Sequence, residues 1–484
     1  VLKLLLLLPL SGAFAVALLP ARRPALIRGV AIAIAGIVFL LSLVLAAGFD
    51  GSLPGQQFFE TRPWNPRVGS SFALGVDGIS LPMVLLSTLL GLVAVVASVG
   101  IGRGARLYFS LLLVLESAML GVFMARDWSL FYVFWELTLI PLFFLIDRMG
   151  GANRHRAALN FVLYTLGGSV FMLVALLLLY DAAPGHSFAM ADMAEGGRGL
   201  PLATQLLVFA GLFIGFGVKM PVFPLHGWLP LAHVEAPSPV SILLSGVLLK
   251  MGAYGLIRAA ETLPLAVVAL QDWLAALALF SLFYGSLLAW RQTDLKRMVA
   301  YSSVAHMGVV LLGIATLNVT GLAGAVFQMS AHGLAAALLF LLVGIVYQRT
   351  HSRELGEIGS LSGSAPRLAL FLALGLLAAA GLPGGAGFIA ELHVLVGGFA
   401  RWQAWVIVLS LGVLISAAYA VRVVGRLCLG GGPAHPAPVA DLNLAERLAA
   451  GVLLAGIIVA GVHPAPLLAL SAASVRELSR LFGN

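Results

Sequence analysis

Six ionisable side chains stand inside runs of sequence too apolar to be loops. Glu136 lies in FYVFWELTLIPLFFLI, Lys219 in GFGVKMPVFPLHGWLP and Lys250 in SILLSGVLLKMGAYGL. His306 lies in AYSSVAHMG, His332 in MSAHGLAAALLF and Glu391 in GLPGGAGFIAELHVL. Charged and titratable groups are costly at bilayer depth, so each is a functional candidate by default. Carboxylates, amines and imidazoles each take up and release a proton, and the chemistry open to such a set is proton transfer. Each also has a bland role. A lysine can snorkel to the interface, a histidine can serve as an interhelical hydrogen-bond donor, and the acids can be members of structural ion pairs. Glu116, in LVLESAML, adds a further acid.

Other residues point away from metal and redox chemistry. His226, His233 and Glu235 follow Lys219 closely, but their spacing fits no standard zinc pattern, and a loop near a membrane face is the expected placement. Cys428 is the single cysteine. An iron–sulfur cluster needs several thiolates, so none is expected, and Cys428 reads as a small apolar residue in a helix. GIGRGA, residues 100–105, fits a nucleotide-binding spacing but sits between two apolar runs rather than between a strand and a helix. No cofactor and no metal are expected in this chain.

The elements that must hold these residues follow from composition. Of 484 residues, 61% are hydrophobic and 10% are charged, too few charges for a water-soluble surface. Lipid leaves backbone groups no partners, so spanning segments are helices or a closed barrel. Long runs without alternation exclude the barrel. About 20 apolar residues cross a bilayer as a helix, and fourteen such spans can be placed. They lie near 2–20, 27–47, 78–100, 107–125, 129–147, 159–181, 203–230, 238–258, 266–290, 298–317, 321–347, 367–399, 403–428 and 446–463. The predicted fold is an all-α polytopic membrane protein. The tail after His463 reads as an amphipathic helix at the membrane surface. Lys3 ahead of a short apolar run resembles a secretion signal, but the next span follows at once and no cleavage site stands out.

Two spans are long and carry breakers. The seventh has Pro221, Pro224 and Pro230; the twelfth has Pro383 among Gly381, Gly384, Gly385 and Gly387. Both are expected to be discontinuous. Paired breaks five spans apart mark inverted repeats around a transport path. The expected units are 1–106 (spans 1–3), 107–258 (first repeat, spans 4–8), 259–428 (inverted second repeat, spans 9–13) and 429–484 (span 14 and tail). Most Lys and Arg residues fall in loops after odd-numbered spans, which places both termini outside the cytoplasm. That bias accounts for the net charge of +8; the basic residues form no single patch, and no nucleic-acid partner is expected.

The segment GFGVKMPVFPLHGWLPLAHVEAPSPVSILLSGVLLKMGAYGL resembles the signature of the proton-conducting membrane subunits of respiratory complex I, NADH:quinone oxidoreductase. So do FWELTLIPLFFLI, RQTDLKRMVAYSSVAHMG and GLPGGAGFIAEL, in the family's order from about residue 70 to 400. The chain looks most like the M-type branch, equivalent to mitochondrial subunit 4. L-type relatives carry a long lateral helix after the last span, where only ~20 residues follow here. L and N types usually have a lysine in span twelve, where Glu391 stands. Leu231 replaces a common Asp, Asn160 a common Lys, and Asp147-Arg148 interrupts the usual stretch, which suggests a divergent branch.

What the resemblance implies is specific. Glu136, Lys219, Lys250, His306, His332 and Glu391 would be the proton-translocating set. Opening and closing of a Glu136–Lys219 pair would pass a proton to Lys250, along the two histidines, and out by Glu391. NADH, FMN, iron–sulfur clusters and quinone would belong to partner subunits. The partners would be other membrane subunits, the L and N types beside this one, in the inner membrane of a bacterium. The same motifs occur in Mrp-type Na+/H+ antiporter subunits and in membrane-bound hydrogenase complexes. A stand-alone transporter of small solutes would need a polar pocket, which the sequence does not display.

Overall fold

The computed structural model describes residues 1–429 and 438–483. The expected unit 429–484 therefore lies partly outside the described residues, at residues 430–437 and 484. Among the described residues, twelve helices are long and apolar enough to cross a membrane. Two shorter apolar helices, Leu2–Leu18 and Pro366–Ala379, fall where spans one and twelve are expected, and all fourteen spans have a helix. The all-α polytopic expectation holds.

Three spans form the centre. Span 8 (Ser238–Thr262) and span 11 (Val319–Thr350) are buried along their whole apolar length, and span 10 (Leu295–Ala315) nearly so. Span 2 (Pro24–Ala47), span 13 (Ile407–Leu427) and span 14 (Leu444–Val462) turn apolar side chains such as Leu40, Val421 and Val459 outward. A surface of that kind is stable only against lipid or another subunit.

Both expected breaks are present. Span 7 runs Leu202–Lys219, unwinds over 220–228 and resumes as Leu229–Glu235. Span 12 runs Pro366–Ala379, unwinds over 380–385 and resumes as Ala386–Trp402. Span 5 has a milder joint: Trp128–Leu137 and Leu139–Met149 meet at Thr138. Pro141 supplies no N–H to the turn before it, which explains the joint.

The loop between spans 2 and 3 holds an antiparallel hairpin, β1 (Gln57–Asn65) and β2 (Ser70–Val76), which the span reading did not anticipate. Lys3 pairs with Glu60 at 2.5 Å. From the tail helix Ala465–Arg480, Ser474 Oγ donates to the Pro54 carbonyl (3.0 Å) and accepts from the Gly78 N–H (3.1 Å). Chain start, hairpin and tail helix thus share one face, called here the terminal face. On the opposite face, Lys296 donates to the Ala236 carbonyl (2.6 Å) and Arg353 to that of Val234 (2.6 Å). Glu235 accepts from the Asn153 N–H (2.9 Å).

Candidate functional site

Span 8 is the axis of the site. It begins as an α-helix, widens into a π-turn at Leu244–Leu248, and tightens again from Leu249. Such turns leave carbonyls without their usual partner and recur at functional positions. Here the Ser245 carbonyl accepts a hydrogen bond from Lys250 Nζ at 2.6 Å. The same ammonium meets His332 Nδ1 of span 11, also at 2.6 Å. Lys250 is fully buried, and its charge has no acid within ion-pair distance among the described residues.

From His332 the polar line continues. Its ring lies 5.2 Å, centroid to centroid, from that of His306 in span 10. His306 Nδ1 approaches Glu391 Oε1 at 3.8 Å and Gln328 Nε2 at 3.4 Å. Nε2 of each histidine has no hydrogen-bond partner among the described residues. Lys250, His332, His306 and Glu391 therefore form one buried string through spans 8, 11, 10 and 12. Gln328 beside it is a member that a search for titratable residues could not find.

Glu391 sits where backbone yields to it. Gly381 adopts φ +76°, and a Cβ there would stand 2.5 Å from Glu391 Oε2. Glycine supplies both the left-handed turn and the close approach.

Lys219 ends the first half of span 7. Its Nζ donates to Thr138 Oγ1 (2.8 Å) and to the Trp135 carbonyl (3.3 Å), both at the joint of span 5, and lies 4.1 Å from the Trp135 ring centroid. Carbonyl, hydroxyl and ring face suit a desolvated ammonium. Glu136 is the neighbouring residue on span 5, but no bridge of 4.0 Å or less joins it to Lys219, and its Oε1 has no hydrogen-bond partner among the described residues. Glu136 is half-buried, unlike the other five. The structure thus holds this acid and lysine side by side with the pair open. Between Lys219 and Lys250 the two helices touch: a Cβ on Gly252 would lie 2.6 Å from the Met220 nitrogen.

The structure corrects one placement. His233 and Glu235 are not in a loop near a membrane face as expected; they are buried in a helix, the second half of span 7. His233 stacks on Phe340 at 4.5 Å, and neither ring nitrogen has a hydrogen-bond partner among the described residues. The sequence signal was the apolar helix Leu229–Glu235, hidden by Pro230, which a first helical turn accepts. His226 is largely buried against Tyr284 and Phe223. Glu116 is buried in span 4 (Ala105–Met124), both oxygens without a hydrogen-bond partner among the described residues, against Gly91 of span 3 (Ser80–Ala97). Cys428 is buried and close to the Ala369 carbonyl. Among the described residues no group of His, Cys, Asp or Glu is arranged to hold a metal ion.

Comparisons with known proteins agree with the resemblance read from the sequence. The sequence profile of the family described as NADH:quinone oxidoreductase/Mrp antiporter, transmembrane, matches residues 125–416. NAD(P)H-quinone oxidoreductase chain 4 2 of Thermosynechococcus vestitus is 42% identical, over 96% of this chain and 89% of its own. NAD(P)H-quinone oxidoreductase chain 4 1 of Picosynechococcus sp. is 39% identical, over 94% and 87%. A chain of respiratory complex I from Thermus thermophilus superimposes with a TM-score of 0.91 at 32% identity, over 100% of both chains. A chain of the Mrp complex from Dietzia sp. shares the fold, with a TM-score of 0.87 at 22% identity. The chain belongs to the NADH:quinone oxidoreductase/Mrp antiporter family of transmembrane proteins.

Proposed function

We propose that this chain is a chain-4-type membrane subunit of a bacterial quinone oxidoreductase and moves protons across the membrane while partner subunits transfer electrons. The observation that carries the reading is the buried string Lys250–His332–His306–Glu391, whose contacts run 2.6 Å, 5.2 Å between ring centroids, and 3.8 Å. It lies crosswise to the spans, and no such line of titratable groups is needed to hold an apolar bundle together. Nicotinamide, flavin, iron–sulfur clusters and quinone belong to partner subunits in this reading. The neighbours are the L- and N-type subunits, and both termini face away from the cytoplasm.

The mechanism uses two states of the Glu136–Lys219 couple. Closed, the carboxylate holds the proton on Lys219. Open, as in the geometry described above, Thr138 and Trp135 hold the ammonium, and its proton can pass to Lys250. His332 takes it at Nδ1, and His306 hands it to Glu391. Spans 4–8 and 9–13 act as the two inverted units, with Glu391 closing the second.

The magnitudes fit. Moving one charge against about 200 mV costs ~4.6 kcal/mol. Making or breaking an ion pair at ~4 Å, at an effective dielectric near 20, is worth about 4 kcal/mol. One acid–lysine couple is therefore about sufficient per proton, and redox energy from the partners must drive its opening.

The test is Lys250→Met in the intact complex, reconstituted in liposomes with quinone reduction driven by its electron donor. The expected result is assembly and electron transfer with a sharply lower proton-to-electron ratio. An unchanged ratio would overturn the reading.

A further inference from the structure

Below Lys250, towards the terminal face, a second polar column descends span 8. Lys250, Tyr254 and Arg258 recur at four-residue steps and so share one face of the helix, each step rising about 6 Å. Arg258 borders a cavity of about 250 Å³, also lined by Gln56, Asp77, Arg198, Glu261 and Glu477. A column of titratable residues between a buried lysine and a polar cavity has the outline of a proton path.

The chemistry of each member denies it that role. Tyr254 is fully buried; its hydroxyl accepts from Arg126 Nη1 (3.3 Å) and donates to the Phe123 carbonyl (3.4 Å). Its ring lies 5.0 Å from the Arg258 guanidinium carbon and meets Phe123 edge-on. Arg126 and Arg258 both pair with Asp77, Arg126 at 3.3 Å, and Arg258 also with Glu261 at 2.9 Å. A guanidinium does not give up its proton in a protein. Burial alone would push Asp77 up, but the two guanidiniums and the Ser80 N–H outweigh it and hold the carboxyl well below the usual carboxylate range. At neutral pH Asp77 is therefore no proton acceptor. Arg126 also donates to the Gly75 carbonyl (3.1 Å) and to Ser80 Oγ (3.0 Å), fixing it across the ends of the hairpin and span 3.

We propose that Tyr254, Arg126, Arg258 and Asp77 form a proton barrier that seals Lys250 from the terminal face, so that its proton leaves only sideways, through His332. The barrier deepens the function proposed above and rests on it: a lateral string can carry protons against a gradient only if its donor is closed to the high-energy side, from which protons would otherwise run back.

The test measures passive proton flux in liposomes holding the intact complex, with no electron donor, after an imposed pH step. Arg258→Lys keeps the charge beside Asp77 but installs a group that can release its proton, and Arg258→Gln removes the charge. A several-fold faster flux than wild type is expected for both, with a smaller rise for Tyr254→Phe. Adding Lys250→Met to Arg258→Lys should return the flux to the wild-type level, because the leak runs through Lys250. Wild-type flux in the assembled Arg258→Lys complex overturns the barrier, as does a leak that survives Lys250→Met. Lys250→Met alone reports on the proposed function: normal pumping there would sink the parent reading, whereas lost pumping with no leak in the arginine variants sinks the barrier only.

Discussion

The two broken helices reach similar openings by opposite chemistry. Span 7 is broken by prolines, which delete donors, and the loss is repaired from outside the helix. Ser281 Oγ accepts from the Phe223 N–H (3.1 Å), and the Trp228 indole donates across the gap to the Val218 carbonyl (2.8 Å). Span 12 is broken mainly by glycines around a single proline, Pro383; the glycines keep their donors, and two of them turn left-handed, Gly381 at φ +76° and Gly384 at φ +95°. The first break leaves Lys219 surrounded by fixed acceptors from another helix. The second lets backbone come within van der Waals distance of Glu391, with no side-chain hydrogen bond to hold it among the described residues. One site grips its proton carrier, and the other only shapes the space around it. A grip suits a carrier that must stay in place once its acid has let go, and a loose acid suits the end of a line.

If Lys219 is gripped in order to release a proton, and not merely as a fixed charge, its replacement by arginine must fail. A guanidinium would satisfy Thr138 and Trp135 and keep the charge, yet hold its proton. Lys219→Arg is expected to lower the proton-to-electron ratio of the assembled complex tenfold or more. Retention of most pumping would make Lys219 a structural cation and would erase the contrast between the breaks.

Substitution at the second break separates shape from strain. Gly381→Ala places a Cβ 2.5 Å from Glu391 Oε2 and also carries the left-handed penalty, ~1–2 kcal/mol for a residue with a Cβ. Gly384→Ala carries the same kind of penalty, but nothing lies within 4 Å of its Cβ. Both variants should lose stability in thermal denaturation of the complex. Only Gly381→Ala should also lose pumping, by about tenfold (~1.4 kcal/mol). Equal pumping in the two would mean that Gly381 serves the turn alone.

The fourteen spans and both breaks were legible because bilayer length and breaker residues are local properties of sequence. The string from Lys250 to Glu391 was legible as a set of residues, since burial of titratable groups in apolar runs announces itself, but not as a geometry. Nothing in the sequence says that Lys250 turns towards His332 rather than Lys219. That direction comes from the π-turn at Leu244–Leu248, a hydrogen-bond register without a residue code of its own. The hairpin was missed because β1 carries mostly exposed residues and lacks the alternation that marks a half-buried strand. His233 was misplaced because Pro230 reads as a loop signal when the helix it opens is only seven residues long.

A weaker effect probes the grip on Lys219 directly. Thr138→Val removes the hydroxyl 2.8 Å from Nζ and leaves the Trp135 carbonyl and ring in place. Hydrogen bonds to charged groups contribute ~1.5–3 kcal/mol, part of which the remaining acceptors recover. Pumping is expected to fall severalfold in Thr138→Val and to stay near wild type in Thr138→Ser, which retains the acceptor. No loss in the valine variant would assign the grip to Trp135 alone.

The smallest expected effect concerns how the two breaks are anchored. The first half of span 12 is not capped by its own preceding residue; Asp441, far along the chain, accepts from the Leu368 (2.9 Å) and Arg367 (3.2 Å) N–H groups. The first half of span 7 has no such acid, only Pro201 at its start and Gln205 reaching back to the Leu200 carbonyl. Losing an acidic cap costs about 1 kcal/mol, so Asp441→Ala should lower the thermal stability of the complex by roughly that amount. Slight burial would push Asp441 up, but the backbone N–H groups of Leu368, Leu442 and Arg367 prevail and hold it below the usual carboxylate range. A carboxyl whose folded value is depressed adds stability at every pH above its unfolded value, near 4, and loses it only as pH falls through the folded value. The gap between wild type and Asp441→Ala should therefore stay constant from pH 8 to pH 5. A gap that narrows on acidification within that range would mean that Asp441 takes up a proton there. The anchoring of the second break would then rest on the helix start itself, as it does in the first.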